Sequence, residues 1–321
     1  MKKCVYSVLD EGPVVKKLLE ENGFQVVIGN GTLEPEKLAV CDALIPGKSY
    51  VTDKLLENAP RLKIVSKFGV GVDKIDIPAC TKRGIWVSNT ALTNYIPVAE
   101  HTVALMLAAA KKLPQIARVF QTETPDWQAG RSFRAIELNG KTLSVIGLGN
   151  IGRRVASIAS AFGMQVVGFD PYAKPGTVPD FIVQKETLEE TVACGDFITL
   201  HVAGGESVRD LINARIFALM KPTAILINTT RGFVVNEQDL IDALKEGLIA
   251  GAALDVFLEE PVKKASALFN MENVIVTPHN AANTAEAKLR SQQECANNII
   301  AVFQGKRPPF ALNDPSAFRF L

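Results

Sequence analysis

The sequence predicts an α/β protein built from two doubly wound parallel sheets, with one domain inserted into the chain of the other. Short apolar runs alternate with helical segments along most of the sequence, as in parallel sheets covered on both faces. At 321 residues the chain is longer than one ordinary core requires, which favours two domains. A glycine motif that opens such a sheet lies at residues 147–152, with more than a hundred residues before it.

The first series of elements occupies about the first hundred residues. We expect strands at residues 4–9, 24–28, 43–45 and 62–66, and helices at 13–20 and 52–58. Pro13 suits the first turn of a helix, and Thr52 suits an N-cap. An alanine- and leucine-rich helix follows at residues 98–111, and a helix this apolar is expected to be mostly buried, at the junction of the domains.

The second series contains the glycine motif and the number of strands that a full dinucleotide-binding domain needs. We expect its six strands at residues 142–146, 165–169, 196–200, 224–228, 250–254 and 274–277. A long final helix at 284–304 follows the sixth strand and returns to the first domain. The predicted domains are therefore a split substrate domain, 1–97 with 285–321, and an inserted nucleotide domain, 98–284.

The glycine motif has the spacing and surroundings of a dinucleotide-binding fingerprint. Gly147, Gly149 and Gly152 fit G-x-G-x-x-G between a predicted strand and a helix at residues 151–162, and Asp170 closes the next apolar run. The first glycine permits a tight turn, the second lets the backbone approach a pyrophosphate, and the third lets helix pack on strand. The helix N-terminus offers amides and a positive dipole end to phosphates. We therefore expect the second domain to be Rossmann-like, and the alternation of strands and helices in the first domain predicts the same for it.

Asp170 indicates which dinucleotide binds. A carboxylate at the end of the second strand accepts hydrogen bonds from both ribose hydroxyls and repels a 2′-phosphate, so NAD is expected rather than NADP. Lys174 is the one nearby base, and a solvated role suits it better. His201 ends the next strand, where it either contacts the cofactor or packs structurally. His101 lies inside the apolar helix and is expected to be a packed or interface histidine.

Three side chains after successive strands of the second series suit one reaction. Arg231, Glu260 and His279 follow the fourth, fifth and sixth strands, at the edge where such sheets bind ligands and where the two sheets are expected to face a cleft. Arginine holds a carboxylate with a charged fork, histidine exchanges a proton near neutral pH, and a carboxylate orients the imidazole. Singly, the arginine suits a surface ion pair and the glutamate a loop. Together they predict reduction of a 2-keto acid.

Composition excludes several other classes of function. The net charge of +1 and the scattered basic residues give no footprint for nucleic acid or for a membrane surface. Five cysteines, widely spaced and without a C-x-x-C, argue against disulfides and a zinc site. No signal peptide or membrane span is predicted, so a cytoplasmic location and no metal are expected.

The chain resembles the D-isomer-specific 2-hydroxyacid dehydrogenases, among them phosphoglycerate dehydrogenases and glyoxylate/hydroxypyruvate reductases. The resemblance covers essentially the whole chain. Its specific segments are residues 67–73, the glycine fingerprint, 228–232, 253–257 with Glu260 and Pro261, and 277–279. It implies the split fold described above and a homodimer joined through the nucleotide domain, with residues 98–111 contributing.

The resemblance also implies roles for individual residues. The family's catalytic residues fall on Arg231, Glu260 and His279, and backbone amides of Gly69, Val70 and Gly71 would bind the substrate carboxylate together with Arg231. Besides the three glycines and Arg231, the cofactor contacts fall on Asn150, Ile151, Asp170, His201, Val202, Thr229, Thr230, Asp255 and His279.

The sequence departs from the family in two places, one in the loop near the nicotinamide and one that bears on the substrate. Residues 280–282 read Asn-Ala-Ala where many members have a glycine-rich stretch, and no arginine follows the third strand. Phosphoglycerate-type members often carry an arginine there, whereas this chain has Lys48. Lys48 and Lys67 could meet a phosphate, but without an arginine fork a small unphosphorylated keto acid is favoured. Two alternatives stay open, an NAD(H)-sensing binding protein similar to the related co-repressors, and a formate dehydrogenase.

Overall fold

The computed structural model describes residues 2–174, 176–262 and 266–315 of the chain. It divides into two compact units, Met1–Asn94 with Asn283–Leu321, and Tyr95–Ala282. The boundaries predicted from the sequence lie after residues 97 and 284.

The N-terminal part of the first unit alternates strand and helix. Its strands are β1 (Lys3–Ser7), β2 (Phe24–Ile28), β3 (Ala43–Ile45), β4 (Ile64–Ser66) and β5 (Trp86–Ser88). Its helices are α1 (Pro13–Glu21), α2 (Pro35–Val40), α3 (Asp53–Leu56) and α4 (Ile77–Lys82). The strands form one parallel sheet in the order β2-β1-β3-β4-β5. This is one of the two common doubly wound orders.

The second unit is built around a larger parallel sheet. Its strands are β6 (Thr142–Ile146), β7 (Gln165–Phe169), β8 (Ile182–Gln184), β9 (Phe197–Leu200), β10 (Ile225–Asn228), β11 (Gly251–Leu254) and β12 (Val274–Val276). Its helices are α5 (Tyr95–Lys111), α6 (Leu113–Phe120), α7 (Trp127–Ser132), α8 (Asn150–Ala161), α9 (Leu188–Cys194), α10 (Ala214–Phe217) and α11 (Glu237–Lys245). Single 3₁₀ turns lie at Glu206–Val208, Gly232–Val234 and Ala267–Asn270.

The strand order of the second unit is that of a dinucleotide-binding sheet. The order β12-β11-β10-β9-β6-β7-β8 reverses direction between β6 and β9. In such sheets the ligand binds beyond the carboxyl ends of the strands at this switch point. The residues that follow β6 and β9, Gly147 and His201, therefore lie where a ligand is expected.

The last helix, α12 (Ala285–Phe303), belongs to the first unit, as predicted from its length and place. Thr284 caps it by accepting a hydrogen bond from the amide of Ala287. Its Cys295 and Ile299 are fully buried in a cluster that also contains Val5 of β1. Neighbouring Tyr6 belongs to a second cluster, because successive strand residues point to opposite faces. Helices thus cover both faces of the sheet.

The predicted fold class is confirmed, but the sequence misses one strand of each sheet, β5 in the first unit and β8 in the second. For the second unit the sequence predicts six strands, whereas the described residues form a sheet of seven that includes β8. This edge strand is only three residues long, and of these only Ile182 is buried. The sequence offers only the apolar run at residues 181–183 for this strand, which is shorter than the runs that usually indicate one. No helix in the described parts of the chain is long and apolar enough to cross a membrane.

Candidate active site

The turn from β6 to α8 is shaped by its three glycines. Gly147 has φ +94°, and a Cβ there would lie 2.5 Å from the carbonyl oxygen of His201. A Cβ on Gly152 would lie 2.1 Å from the Gly147 carbonyl oxygen, so the helix packs closely on the strand end only with glycine at this position. Gly149 faces open space, since a Cβ there would have no heavy atom within 4 Å. The turn and the packing are those expected of the fingerprint.

The same loop leaves room and donors for a phosphate group. Helix α8 begins after Gly149, and no side chain caps its first turn. Its N-terminal amides therefore remain available to an anion, and the helix dipole favours one. Asn150 and Ile151, predicted cofactor contacts, are the first two residues of this helix.

Asp170 follows β7 and is tied to the glycine loop. One carboxylate oxygen accepts from the Leu148 amide at 2.8 Å, and the other accepts from the Tyr172 amide at 2.8 Å. Each oxygen keeps a further lone pair, so the carboxylate can still accept from ribose hydroxyls. This is the position at which an acid distinguishes NAD from NADP.

His201 carries a buried polar atom that the protein leaves without a partner. Its Nε2 lies 2.9 Å from Thr199 Oγ1, while Nδ1 is buried and has no hydrogen-bond partner among the residues that the structure describes. Burial lowers the pKa of His201 to about 3, so the ring is neutral near pH 7. An orphaned polar atom beside the fingerprint is what a bound ligand would satisfy. With the open glycine and the uncapped helix, these residues fit a dinucleotide.

The segment after β10 is organised by an asparagine that sequence reasoning did not single out. Asn228 Oδ1 accepts from the amide and the hydroxyl of Thr230, and its Nδ2 donates to the Arg231 carbonyl oxygen at 3.0 Å. Thr229 is buried, with its hydroxyl 3.0 Å from that of Thr102 on α5. These bonds fix the loop that presents Arg231.

Gly232 brings the Arg231 loop against the loop that follows β11. A Cβ at Gly232 would lie 2.0 Å from the carbonyl carbon of Phe257, so no other residue fits without moving one backbone. The loop that presents Arg231 thus lies directly against the loop that leads to Glu260. The residues predicted after two separate strands are therefore brought together.

Glu260 and His279 form a short hydrogen bond. Glu260 Oε2 lies 2.5 Å from His279 Nδ1, and Glu260 Oε1 accepts from the Phe257 amide at 3.0 Å. Burial acts to raise the pKa of Glu260, but the bonds from His279 and Phe257 and nearby positive charge outweigh it, so the pKa is lowered. The side chains are 34% and 48% exposed, which leaves the imidazole open to a substrate. Because Glu260 engages Nδ1, Nε2 is the nitrogen that can exchange a proton with a substrate.

Asp255 fixes the backbone around His279. Its side chain is fully buried and accepts from the Thr277 hydroxyl at 2.5 Å, the Asn280 amide at 2.8 Å and the Ala281 amide at 2.9 Å. Burial acts to raise the pKa of Asp255, yet these bonds and one from His101 lower it. Asp255 is a predicted cofactor contact. No pattern in the sequence points to the part that Thr277 plays.

The predicted carboxylate-binding loop belongs to the first unit. Gly69 has φ +103°, and its amide donates to Thr90 Oγ1 at 2.9 Å. The Gly69 amide is therefore bonded to a side chain that follows β5, and its part in binding a substrate carboxylate stays a prediction. The amides of Val70 and Gly71 keep that role as a prediction. Val202, predicted as a cofactor contact, is partly buried and packs against the core of the second unit.

Comparison with known proteins identifies the family. The family model described as "D-isomer specific 2-hydroxyacid dehydrogenase, NAD binding domain" matches residues 103–281, more than half of the chain. The chain belongs to the D-isomer specific 2-hydroxyacid dehydrogenases. The glycine loop, Asp170, Arg231, Glu260 and His279 all lie within the region matched to this family's NAD-binding domain.

Individual members of this dehydrogenase family match over most of the chain. The chain is 41% identical to the D-3-phosphoglycerate dehydrogenase of Methanocaldococcus jannaschii over 305 residues, which cover 94% of this chain and 57% of that protein. The chain thus spans little more than half the length of the curated relatives it matches. Among solved structures, D-lactate dehydrogenase from Aquifex aeolicus, complexed with NAD and lactic acid, has a TM-score of 0.81 at 30% identity, covering 94% and 96% of the two chains.

A second solved structure has the same architecture. It is the NADPH-dependent glyoxylate/hydroxypyruvate reductase of Sinorhizobium meliloti in complex with NADP and malonate. Its TM-score is 0.87 at 26% identity, with 98% of both chains covered. These relatives differ in substrate and in cofactor, so the family alone does not decide either one for this chain.

Proposed function

We propose that this protein catalyses the reversible, NAD-linked reduction of a small 2-keto acid to a D-2-hydroxy acid. The observation that carries the proposal is the 2.5 Å hydrogen bond between Glu260 and His279, on the strand edge that also presents Arg231. A histidine held by a carboxylate beside an arginine is the equipment needed to protonate a carbonyl oxygen while a carboxylate is held in place.

Each of the three side chains has a separate task in this reaction. The Arg231 guanidinium binds the substrate carboxylate and polarises the carbonyl. His279 delivers a proton from Nε2 to the carbonyl oxygen, and Glu260 stabilises the imidazolium before it does so. When bound, the nicotinamide ring of NADH supplies the hydride. In the oxidative direction His279 accepts the proton from the hydroxyl group of the D-2-hydroxy acid.

NAD is proposed as the cofactor rather than NADP. Asp170 is held beside the glycine loop by the amides of Leu148 and Tyr172, and its negative charge opposes a 2′-phosphate. The first turn of α8, Thr229, Thr230 and Asp255 belong to the same unit and complete the set proposed to hold the dinucleotide.

The substrate is proposed to be small and unphosphorylated. Lys67, one of two lysines considered for a phosphate, donates from Nζ to the carbonyl oxygens of Gly47 at 2.6 Å and Phe68 at 3.0 Å. Burial lowers the pKa of Lys67. This also favours a role in linking two loops over a role in binding a phosphate group. The Val70 and Gly71 amides are proposed to receive the substrate carboxylate.

A homodimer is proposed, joined through the second unit. Several large apolar side chains stay exposed on the two helices that follow α5, and such patches often mark protein interfaces. They are Leu113 and Phe120 on α6 and Trp127, which is 60% exposed, on α7. The cytoplasmic location expected from the composition stays a prediction.

Two other functions are distinguishable from the proposed one. A protein that only senses NAD(H) has no need for a histidine–carboxylate pair, so the short Glu260–His279 bond favours turnover. A formate dehydrogenase transfers hydride from formate and needs no proton donor, so a strict requirement for His279 would argue against it.

Initial rates with a panel of keto acids test the proposal. The panel contains hydroxypyruvate, glyoxylate, pyruvate, 3-phosphohydroxypyruvate and 2-ketogluconate, each with NADH and with NADPH. We expect NADH oxidation with at least one unphosphorylated keto acid and formation of the D-product. NADH binding without turnover on any member would overturn the proposal in favour of a sensor. A preference for 3-phosphohydroxypyruvate would overturn the proposed substrate class alone.

A further inference from the structure

The backbone of His279 is in a conformation that a histidine rarely adopts. Its φ is +52°, in the left-handed region where a Cβ crowds the following carbonyl group. Such a conformation persists only where surrounding contacts impose it. The contacts that impose it therefore decide where the imidazole points.

Asp255 supplies contacts on both sides of His279. The Asp255 side chain binds Thr277, two residues before, and the amides of Asn280 and Ala281, which directly follow. The His279 amide also donates to the Asp255 carbonyl oxygen at 2.8 Å. These bonds hold residues 277–281 against the end of β11.

His101, on helix α5, lies next to the hydrogen bonds between Asp255 and Thr277. Its Nε2 lies 3.2 Å from Thr277 Oγ1 and 3.5 Å from Asp255 Oδ1, and its side chain is 23% exposed. The Thr277 hydroxyl donates its proton to Asp255, since an ionised carboxylate can only accept. The Thr277 oxygen must then accept from His101, so Nε2 of His101 carries a proton. A directed chain of hydrogen bonds runs from the imidazole through the hydroxyl to the carboxylate.

The helix that carries His101 is itself held firmly by packing and hydrogen bonds. The neighbouring Thr102 is buried and bonded to the backbone of Val98 and to Thr229. Ala99 and Val103 are also buried in the core of the unit. His101 is therefore held in place relative to the strands that carry the catalytic loops. Its hydrogen bond to Thr277 can then hold that residue in place as well.

We propose that His101 is a positioning residue for His279, acting through Thr277 and Asp255. This proposal rests on the proposed function, because it assigns His279 the proton transfer. Removing the imidazole leaves Thr277 with one anchor fewer, and residues 277–281 then sample conformations in which His279 no longer faces the substrate. The chemical step slows while NADH affinity is retained. A misplacement of about 1 Å typically lowers a rate by ~100-fold.

The test compares His101→Leu, which removes the donor, with His101→Gln, whose amide can donate from a similar position. Glu100→Gln is the matched control, an exposed residue on the same helix. The first readout is hydrogen–deuterium exchange of peptides covering residues 277–281 in the protein without ligands. We expect faster exchange in His101→Leu, restoration in His101→Gln and no change in Glu100→Gln. Equal exchange in all the variants would overturn the proposal.

The second readout is steady-state kinetics on the best keto acid. We expect kcat to fall by about 10- to 100-fold in His101→Leu, with the KM for NADH within a factor of two, and to recover in His101→Gln. A kcat loss that the glutamine variant does not restore, with unchanged exchange, would contradict a positioning role. If His101→Leu does not fold, Thr277→Val removes the same link and is held to the same outcomes.

The two readouts separate this proposal from the proposed function. Faster exchange in His101→Leu with no keto acid reduction in the wild type would retain the link to residues 277–281 and overturn the proposed function. Wild-type activity with unaltered exchange and unaltered kcat in both His101→Leu and Thr277→Val would overturn the positioning role and leave the proposed function standing.

Discussion

At the scale of single residues, hydrogen bonds restrict the conformations of the side chains in the site. Glu260 is held by the Phe257 amide, and His279 is held by Glu260 and by its own unusual backbone. Arg231 donates from Nη1 to the carbonyl oxygen of Thr230, so part of its fork serves its own loop. Groups held in this way can act without reorganising when the substrate arrives.

The Glu260–His279 pair gives a prediction for the pH dependence of keto acid reduction. Reduction requires a protonated His279, and the negative charge of Glu260 stabilises that form. Glu260→Gln removes this charge and with it the electrostatic support for the protonated ring. We expect the alkaline limb of the kcat/KM profile for reduction to move to lower pH.

The control for this measurement is Glu259→Gln, the same change one residue earlier. A limb that does not move in Glu260→Gln, or that moves equally in both variants, would remove Glu260 from its role.

The Glu260 carboxyl also affects the stability of the fold. Because its pKa is lowered in the fold, its contribution is present above the ordinary carboxyl range and is lost as the pH falls through the lowered pKa.

At the scale of elements, the chemistry lies where parallel strands end. The segments that follow β6, β7, β9, β10, β11 and β12 carry the glycine loop, Asp170, His201, Arg231, Glu260 and His279 in turn. Parallel strands bring all their carboxyl ends to one edge, so residues far apart in sequence become neighbours.

This regularity explains which parts of the site could be predicted. The strands at Thr142–Ile146 and Gln165–Phe169 have the bounds expected from their apolar runs, and the residues after them follow from counting. The hydrogen bond between His101 and Thr277 could not be predicted. Nothing in the sequence of an alanine- and leucine-rich helix shows which strand its faces will pack against. The engaged amide of Gly69 depends on the Thr90 side chain, and sequence spacing does not reveal that contact.

The end of β7 carries a prediction about cofactor choice. Asp170→Asn keeps an oxygen that can accept a backbone hydrogen bond and removes the charge that opposes a 2′-phosphate. Charged hydrogen bonds of this kind are worth about 1.5–3 kcal/mol. We therefore expect the ratio of kcat/KM for NADH over NADPH to fall by roughly 10- to 100-fold. An unaltered ratio would show that Asp170 does not set the preference.

At the scale of the whole molecule, the chain leaves its first unit and returns to it. Helix α12 supplies Cys295, Ala296 and Ile299 to the core of the first unit, and Gln292 accepts from the amide of Val14 on α1 at 2.8 Å. The core of the first unit is therefore incomplete without α12. This return was predicted from the long helix that follows the last strand.

The exposed apolar side chains of α6 and α7 carry the prediction of a homodimer. Sedimentation velocity at micromolar concentration should give about twice the chain mass of 34.7 kDa. Trp127→Glu should shift the protein towards monomer, because a charge would be buried in the proposed interface. Exposed Tyr172→Glu is the control and should leave the dimer unchanged. A wild-type monomer, or a Trp127→Glu variant that stays dimeric, would contradict this interface.

The central claim is that His279 gives the proton that completes keto acid reduction. The most direct measurement is the turnover of His279→Ala on the best keto acid, together with NADH binding followed by fluorescence. We expect kcat to fall by about 10²–10⁴-fold while the Kd for NADH stays within a factor of two. Unchanged turnover in His279→Ala, with NADH bound as in the wild type, would contradict the account.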